Sequence, residues 1–337
     1  MAVGDNQTQV RPRSFVGTAP GKVILFGEHA VVYGQPAIAV PVTDVQARAT
    51  VTPLTGTYGI WLFAADLPGL TDGSMGRRYR LDDAESDDPL RVAVDLALAT
   101  FGGDTVRWYD GTEPGLLMTI NSTIPIARGL GSGAAVATAV VRAIAGHLGQ
   151  SPPPEDVSRL VYEVEKLHHG MPSGIDNTVV AYERPVYFVR GEGIALLRAG
   201  SPFGLIIADT GQASSTRRVV GHVRTRWKAD PDRYQRLFDH IGDVARQART
   251  AIGEGDRHAI GRLMAQNHHL LVALGVSSPD LDRLVGVALE AGATGAKMSG
   301  AGWGGNMLAL VEPRVVSDVT DALRDAGAAH IMSTTVG

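Results

Sequence analysis

Short apolar or alternating runs organise the first half of the chain. Val23–Phe26, Ala37–Val42, Val45–Val51 and Leu116–Ile120 are bounded by turn-forming residues, and this pattern predicts strands. Pro89–Phe101 and Ala134–Leu148 carry apolar residues at helical spacing, the second ending at Gly149. The triple proline Pro152–Pro154 then forces a break before a helix predicted from Glu155 to His168.

The second half has a clearer order. A buried-strand pattern at Phe203–Ala208 precedes four helical stretches, Ser215–Lys228, Pro231–Ile252, Asp256–Leu274 and Pro279–Ala291. Strands at Ala296–Ser299 and Asn306–Val311, a helix at Arg314–Ala326 and a strand at His330–Thr334 follow. With the four helices counted as one insertion, the order is β-α-β-β-α-β, a ferredoxin-like arrangement. The chain has 337 residues, more than twice the ~150 of a common single domain, so two domains are expected. The glycine-rich stretch Arg190–Gly200 divides them into residues 1–193 and 194–337, an α+β organisation.

Composition removes several kinds of chemistry. No apolar run approaches the ~18 residues of a membrane helix, so no membrane partner is expected. The opening MAVGDNQTQVRPR lacks the apolar core of a signal peptide, which makes the cytoplasm the default compartment. A net charge of −4 gives no basic footprint for nucleic acid. Arg217, Arg218, Arg224 and Arg226 fit a solvated helix face better than an RNA or DNA surface, because no aromatic residues alternate with them. With no cysteine, disulfides, thiolate nucleophiles and cysteine metal sites are all excluded. Of 31 cations only Lys22, Lys166, Lys228 and Lys297 are lysine.

Glycine is the informative excess: 41 residues, about 12% against a typical ~7%. The clusters lie at Gly21–Gly34, Gly129–Gly133 and Gly300–Gly305, none of them in a plausible linker. In the second, Gly129, Gly131 and Gly133 open an alanine-rich helix, so bare amides and the helix N-terminus together make a cradle for an anion such as phosphate. No Gly-Lys-Ser/Thr follows, which excludes a Walker A loop. Gly129-x-Gly131-x-x-Ala134 matches the dinucleotide fingerprint in form, but that motif wants a second β-unit, and the next carboxylates, Glu155 and Asp156, lie beyond three prolines and open another helix. The third cluster, with Ser299, Gly300, Ala301 and Gly302, is expected to pack against the phosphate loop at the domain interface.

Two carboxylates stand near one another in sequence. Glu165 lies at the end of a predicted helix, and Asp176 lies just past the Pro172-Ser173-Gly174 turn. A helix carboxylate beside a phosphate site suits magnesium, which takes few protein ligands. A second carboxylate can accept or orient a hydroxyl proton. For Glu165 a solvated helix face is the competing reading, and for Asp176 a helix cap. Lys22, beginning an apolar strand, is either a snorkelling side chain or a charge partner of Asp176. His29 either binds a substrate oxygen or satisfies its loop. The pairs His168-His169 and His268-His269 lack zinc-site spacing and are expected to split between core and surface.

These motifs, in order and across nearly the whole chain, resemble the GHMP small-molecule kinases. Gly27–Gly34 (GEHAVVYG) and Asn267-His268-His269-Leu270-Leu271 are similar to the branch of that family that acts on mevalonate. The resemblance implies an N-terminal ribosomal-protein-S5-like domain, a C-terminal ferredoxin-like domain with a helical insertion, and ATP-dependent phosphorylation of the mevalonate 5-hydroxyl with Mg2+. It implies further that Asp176 is the catalytic carboxylate, Lys22 positions the hydroxyl, and Glu165 with Ser132 binds the metal. Gly129, Leu130, Gly131, Ser132, Gly133 and Ala134 hold ATP, while Glu28, His29 and Thr216 contact the substrate. A homodimer is an expectation of the same kind. Two positions depart from the family pattern: Gly133 stands where a second loop serine contacts magnesium, and Met171 stands where asparagine is common. Rival readings are a phosphomevalonate or sugar kinase, a diphosphomevalonate decarboxylase, and an inactive nucleotide-binding regulator.

Overall fold

A computed structural model describes residues 13–68, 75–102, 106–126, 128–169, 172–192 and 194–337. The first half is built on β1 (Phe15–Phe26), β2 (Ala37–Tyr58), β3 (Ile60–Pro68), β4 (Met75–Arg80), β5 (Pro114–Ser122), β6 (Val186–Phe188) and β7 (Ala195–Leu196). Together they form a seven-stranded sheet in the order β4-β3-β5-β2-β6-β7, with β1 also paired to β2. Among the described residues, the helices α1 (Pro89–Ala97), α2 (Val106–Tyr109), α3 (Ser132–His147), α4 (Pro154–His169) and α5 (Ile175–Tyr182) accompany it. The two strands expected at 37–42 and 45–51 are one. β2 runs unbroken for 22 residues, and Thr43-Asp44-Val45 forms a bulge, because Pro20 pairs with Gln46 while Gly21 pairs with Val42. The helix expected to reach Phe101 ends at Ala97, where the chain widens into a π turn at Leu98–Gly102.

The second half contains β8 (Phe203–Asp209), α6 (Thr216–Ala229), α7 (Pro231–Glu254), α8 (Arg257–Leu274), α9 (Pro279–Glu290), β9 (Gly295–Ser299), β10 (Asn306–Val311), α10 (Val316–Asp325) and β11 (His330–Val336). Its four strands are ordered β11-β8-β10-β9 with every pairing antiparallel, which is the ferredoxin-like sheet expected. The helices start where their caps dictate. Ser215, Asp230, Asp256 and Ser278 each accept a first-turn N–H, and left-handed Gly255 and Gly275 end α7 and α8.

The largest hydrophobic cluster crosses from one half to the other. Val40, Val42 and Ile144 belong to the same buried group as Leu205, Ile207, Val244 and Leu308. β11 lies against β2, where the Ser333 hydroxyl donates to Asp44 and the Thr334 hydroxyl to the Pro41 carbonyl. The division drawn at 193/194 falls on Gly193, which lies outside the described residues. Among the described residues, no helix is long and apolar enough to cross a membrane. Arg217, Arg218, Arg224 and Arg226 are all exposed along α6.

Candidate active site

The bulge in β2 sets the register that places Lys22 on β1, opposite Pro41. The Lys22 N–H donates to the Leu130 carbonyl at 2.9 Å, which ties the strand to the second glycine cluster. Gly131 caps α3 in the left-handed conformation (φ 70°), and a Cβ there would come within 2.8 Å of the Lys22 side chain. Only glycine allows the loop to close this tightly over the lysine. Ser132 and Gly133 open α3 and reach solvent, and Ala134 is buried beneath them. The first N–H groups of α3 have no acceptor within the helix, so the loop and helix end together present unpaired donors.

Asp176 is carried differently from the expectation. It sits in the first turn of α5 rather than on a free turn, with Gly174 (φ 91°) as the N-cap. The helix swings its carboxylate under the glycine loop, where Oδ1 meets Lys22 Nζ at 2.8 Å. The lysine side chain is 7% exposed and the aspartate 29%, so one face of the pair is open to a ligand. Glu165, near the end of α4, is buried. Burial first, and the charge of Asp176 second, push its carboxyl up to about 7 against the opposing pull of Lys22. The solvated-face reading of Glu165 therefore fails. Two carboxylates and one ammonium share a corner beside the loop.

The first cluster meets the third. His29 takes φ 60°, outside the regions a side chain favours, and its Nε2–H donates to the Ala301 carbonyl at 2.8 Å. Burial lowers its pKa despite that bond and the nearby Glu28 charge, which keeps the imidazole neutral. Ala301 belongs to the loop Ser299–Gly305. Gly302 (φ 95°) passes so near Val276 that a Cβ would overlap the Val276 carbonyl, and the Ser214 hydroxyl donates to the Gly302 carbonyl. Ser299 Oγ donates to the Ile24 carbonyl at 2.8 Å. The third loop thus packs on the GEH segment, not on Gly129–Gly133 as expected. Contact with the phosphate loop comes one residue later, where Asn306 donates to the Arg128 carbonyl.

Glu28 is not part of an open pocket. Its Oε1 pairs with Lys297 Nζ, and its Oε2 accepts from Asn267 Nδ2 at 2.9 Å. Side-chain exposure is 0% for the lysine and 1% for the glutamate. Lys297 had a sequence signal, a lysine inside the apolar strand β9, but nothing in spacing pointed to Glu28. Arg128 and Asp209 were likewise not anticipated. Thr216 stands exposed at the start of α6. His268 is buried and His269 exposed, the split expected. The side chains of His168 and His169 lie outside the described residues, as does Met171.

A glycine loop at a helix end, over a lysine–aspartate pair and a buried glutamate, has the parts of a small-molecule phosphotransferase. Residues 91–184 match the family model described as GHMP kinases N terminal domain, and residues 248–329 match GHMP kinases C terminal. The chain belongs to the GHMP kinase family. Within it, the chain is 37% identical over 331 residues to the mevalonate kinase of Thermococcus sibiricus, covering 94% of this chain and 95% of that one. Among solved structures, the L. major mevalonate kinase in complex with R-mevalonate is 29% identical with a TM-score of 0.78, over 96% of this chain and 95% of that chain. The Methanococcus jannaschii mevalonate kinase shares the fold with a TM-score of 0.81 at 24% identity, over 96% and 98% of the two chains.

Proposed function

We propose that this chain is an ATP-dependent kinase acting on the 5-hydroxyl of mevalonate, forming 5-phosphomevalonate and ADP. The observation that carries the reading is the Lys22–Asp176 pair at 2.8 Å, half open beneath the glycine loop that begins α3. The identity to mevalonate kinases over nearly the full chain supports this choice of alcohol. The phosphate loop and the first turn of α3 bind the nucleotide phosphates through backbone N–H groups. Asp176 accepts a hydrogen bond from the substrate hydroxyl and takes or orients its proton, while Lys22 fixes the carboxylate and offers charge to the oxygen as it bonds to phosphorus. The hydroxyl oxygen forms a bond to the γ-phosphorus as the bond to the ADP oxygen breaks.

The donor set suits Mg2+, which binds through one or two carboxylates together with phosphate oxygens and water. A buried carboxyl held near 7 is one whose charge a dication would stabilise, so Glu165 and the Ser132 hydroxyl would hold the ion. When bound, the metal neutralises phosphate charge. The test is ADP release measured in parallel with mevalonate, phosphomevalonate and galactose. Turnover specific to mevalonate is expected. Its absence, or preference for either other substrate, overturns the reading.

A further inference from the structure

The end of the second sheet grips the phosphate loop through one residue, Arg128. Asp209, the last residue of β8, and Asn306, the first of β10, are direct cross-strand partners. Asn306 Nδ2 donates to the Arg128 main-chain carbonyl, and the Arg128 guanidinium meets Asp209 through Nε at 3.3 Å and Nη1 at 3.5 Å. Asp209 is 1% exposed and Arg128 24%. The Gly211 N–H at 2.9 Å fixes the Asp209 carboxylate from the other side. The partners from the second sheet are therefore buried and preset, while the arginine they hold borders Gly129, where the loop turns (φ 74°).

We propose that Asp209 and Asn306 form an interdomain clasp on Arg128 that holds the Gly129–Gly133 loop ready for the phosphates of a nucleoside triphosphate, making Arg128 a positioning residue for nucleotide. This rests on the reading that the loop binds ATP phosphate. A glycine-rich loop has many conformations to lose on binding, and few contacts of its own to select one. Two anchors on the residue before it, one on the main chain and one on the side chain, remove much of that freedom in advance. On the other side, the Lys22 N–H holds the Leu130 carbonyl. The start of the loop is thus tied to both halves of the molecule, through Arg128 to the second sheet and through Leu130 to β1, and the clasp is the tie that a side-chain change can release without touching Lys22.

The test uses the full chain and the variants Arg128→Met, Arg128→Lys, Asp209→Asn and Arg128→Met/Asp209→Asn. ADP and a non-hydrolysable ATP analogue are titrated by calorimetry, alongside steady-state kinetics and thermal melts. Arg128→Met is expected to raise KM for ATP about 10- to 100-fold, with KM for the alcohol within about twofold. Arg128→Lys, which keeps charge but loses the fork of donors, should recover only part of the loss. Because the groups act as one unit, the double variant should be no worse than Arg128→Met. It also removes the unpaired buried carboxylate and so answers for Arg128→Met if that variant fails to fold. Unchanged ATP affinity in a folded Arg128→Met or double variant overturns the clasp, and so does a parallel loss of both substrates with the melting temperature. A wild-type chain that binds neither nucleotide overturns the functional reading instead.

Discussion

Two lysine–carboxylate pairs, Lys22–Asp176 within the first half and Lys297–Glu28 between the two halves, use two of the four lysines in the chain and are opposites. Lys22–Asp176 keeps its carboxylate 29% exposed, whereas Lys297–Glu28 is sealed, with Asn267 on the remaining glutamate oxygen. The open pair leaves hydrogen-bonding capacity unused, which is what a reacting hydroxyl needs. In the sealed pair the known partners occupy both carboxylate oxygens, and the lysine also donates to the Met298 carbonyl at 2.7 Å. Burial lowers the Lys297 pKa, with Glu28 pulling it back up, so the ammonium depends on its partner to stay charged. The same type of contact therefore says little about role; what separates the two pairs is solvent access.

The largest effects should fall on different observables. Asp176→Ala is expected to lower kcat by about 10²- to 10⁴-fold while leaving the melting temperature near that of the wild type. A melting temperature that falls with activity would erase the distinction. Lys297→Met should do the reverse, costing about 3–5 kcal/mol in denaturant unfolding because Glu28 is left buried and unpaired. Lys297→Met/Glu28→Gln should recover most of that stability. Failure of the double variant to recover would mean that the pair is more than a neutralised burial.

A smaller effect is expected from Glu165, which borders the open pair. Its carboxyl holds a proton more tightly in the folded chain, with a pKa raised from 4.5 to about 7. That contribution to stability is complete below 4.5 and is lost as pH rises through about 7. In the absence of metal, Glu165→Gln should therefore gain on the wild type in thermal melts across this window and level off above it. A constant difference at all pH values would mean that Glu165 titrates normally. The smallest effect should come from Gly133→Ser, at an exposed first-turn position, which is expected to lower the magnesium needed for half-maximal rate by a few-fold at most, since magnesium takes few protein ligands and completes its shell with water. Unchanged dependence would mean that Ser132 or water already fills the role.

Helices α6 to α9 were legible because each begins on a Ser or Asp cap and follows a regular apolar stripe, so they lie within about two residues of expectation. The first half was less so. Thr43-Asp44-Val45 looks like a strand end but is a bulge inside β2, because pairing with β1 resumes on both sides of it. Short α5 carries Asp176 on eight residues that follow a Pro-Ser-Gly turn, too few to show a period. At the site, Lys22, Asp176 and the loop were readable as residue types, and their proximity was not. The pairing of Glu28 was not readable, because its partners, Asn267 and Lys297, are 239 and 269 positions away, a separation at which no local pattern survives.

The bulge at Thr43–Val45 governs which changes in length the gene can tolerate. Side chains alternate along a strand, so deleting one residue from the bulge would shift the pairing that places Gly21 and Lys22 opposite Val42 and Pro41 and turn alternate side chains to the wrong face. Insertions at the polar tip near Thr55–Gly56, beyond the paired stretch with β1, carry no such penalty. Two neighbouring stretches of one strand therefore differ sharply in how much lengthening or shortening the fold tolerates.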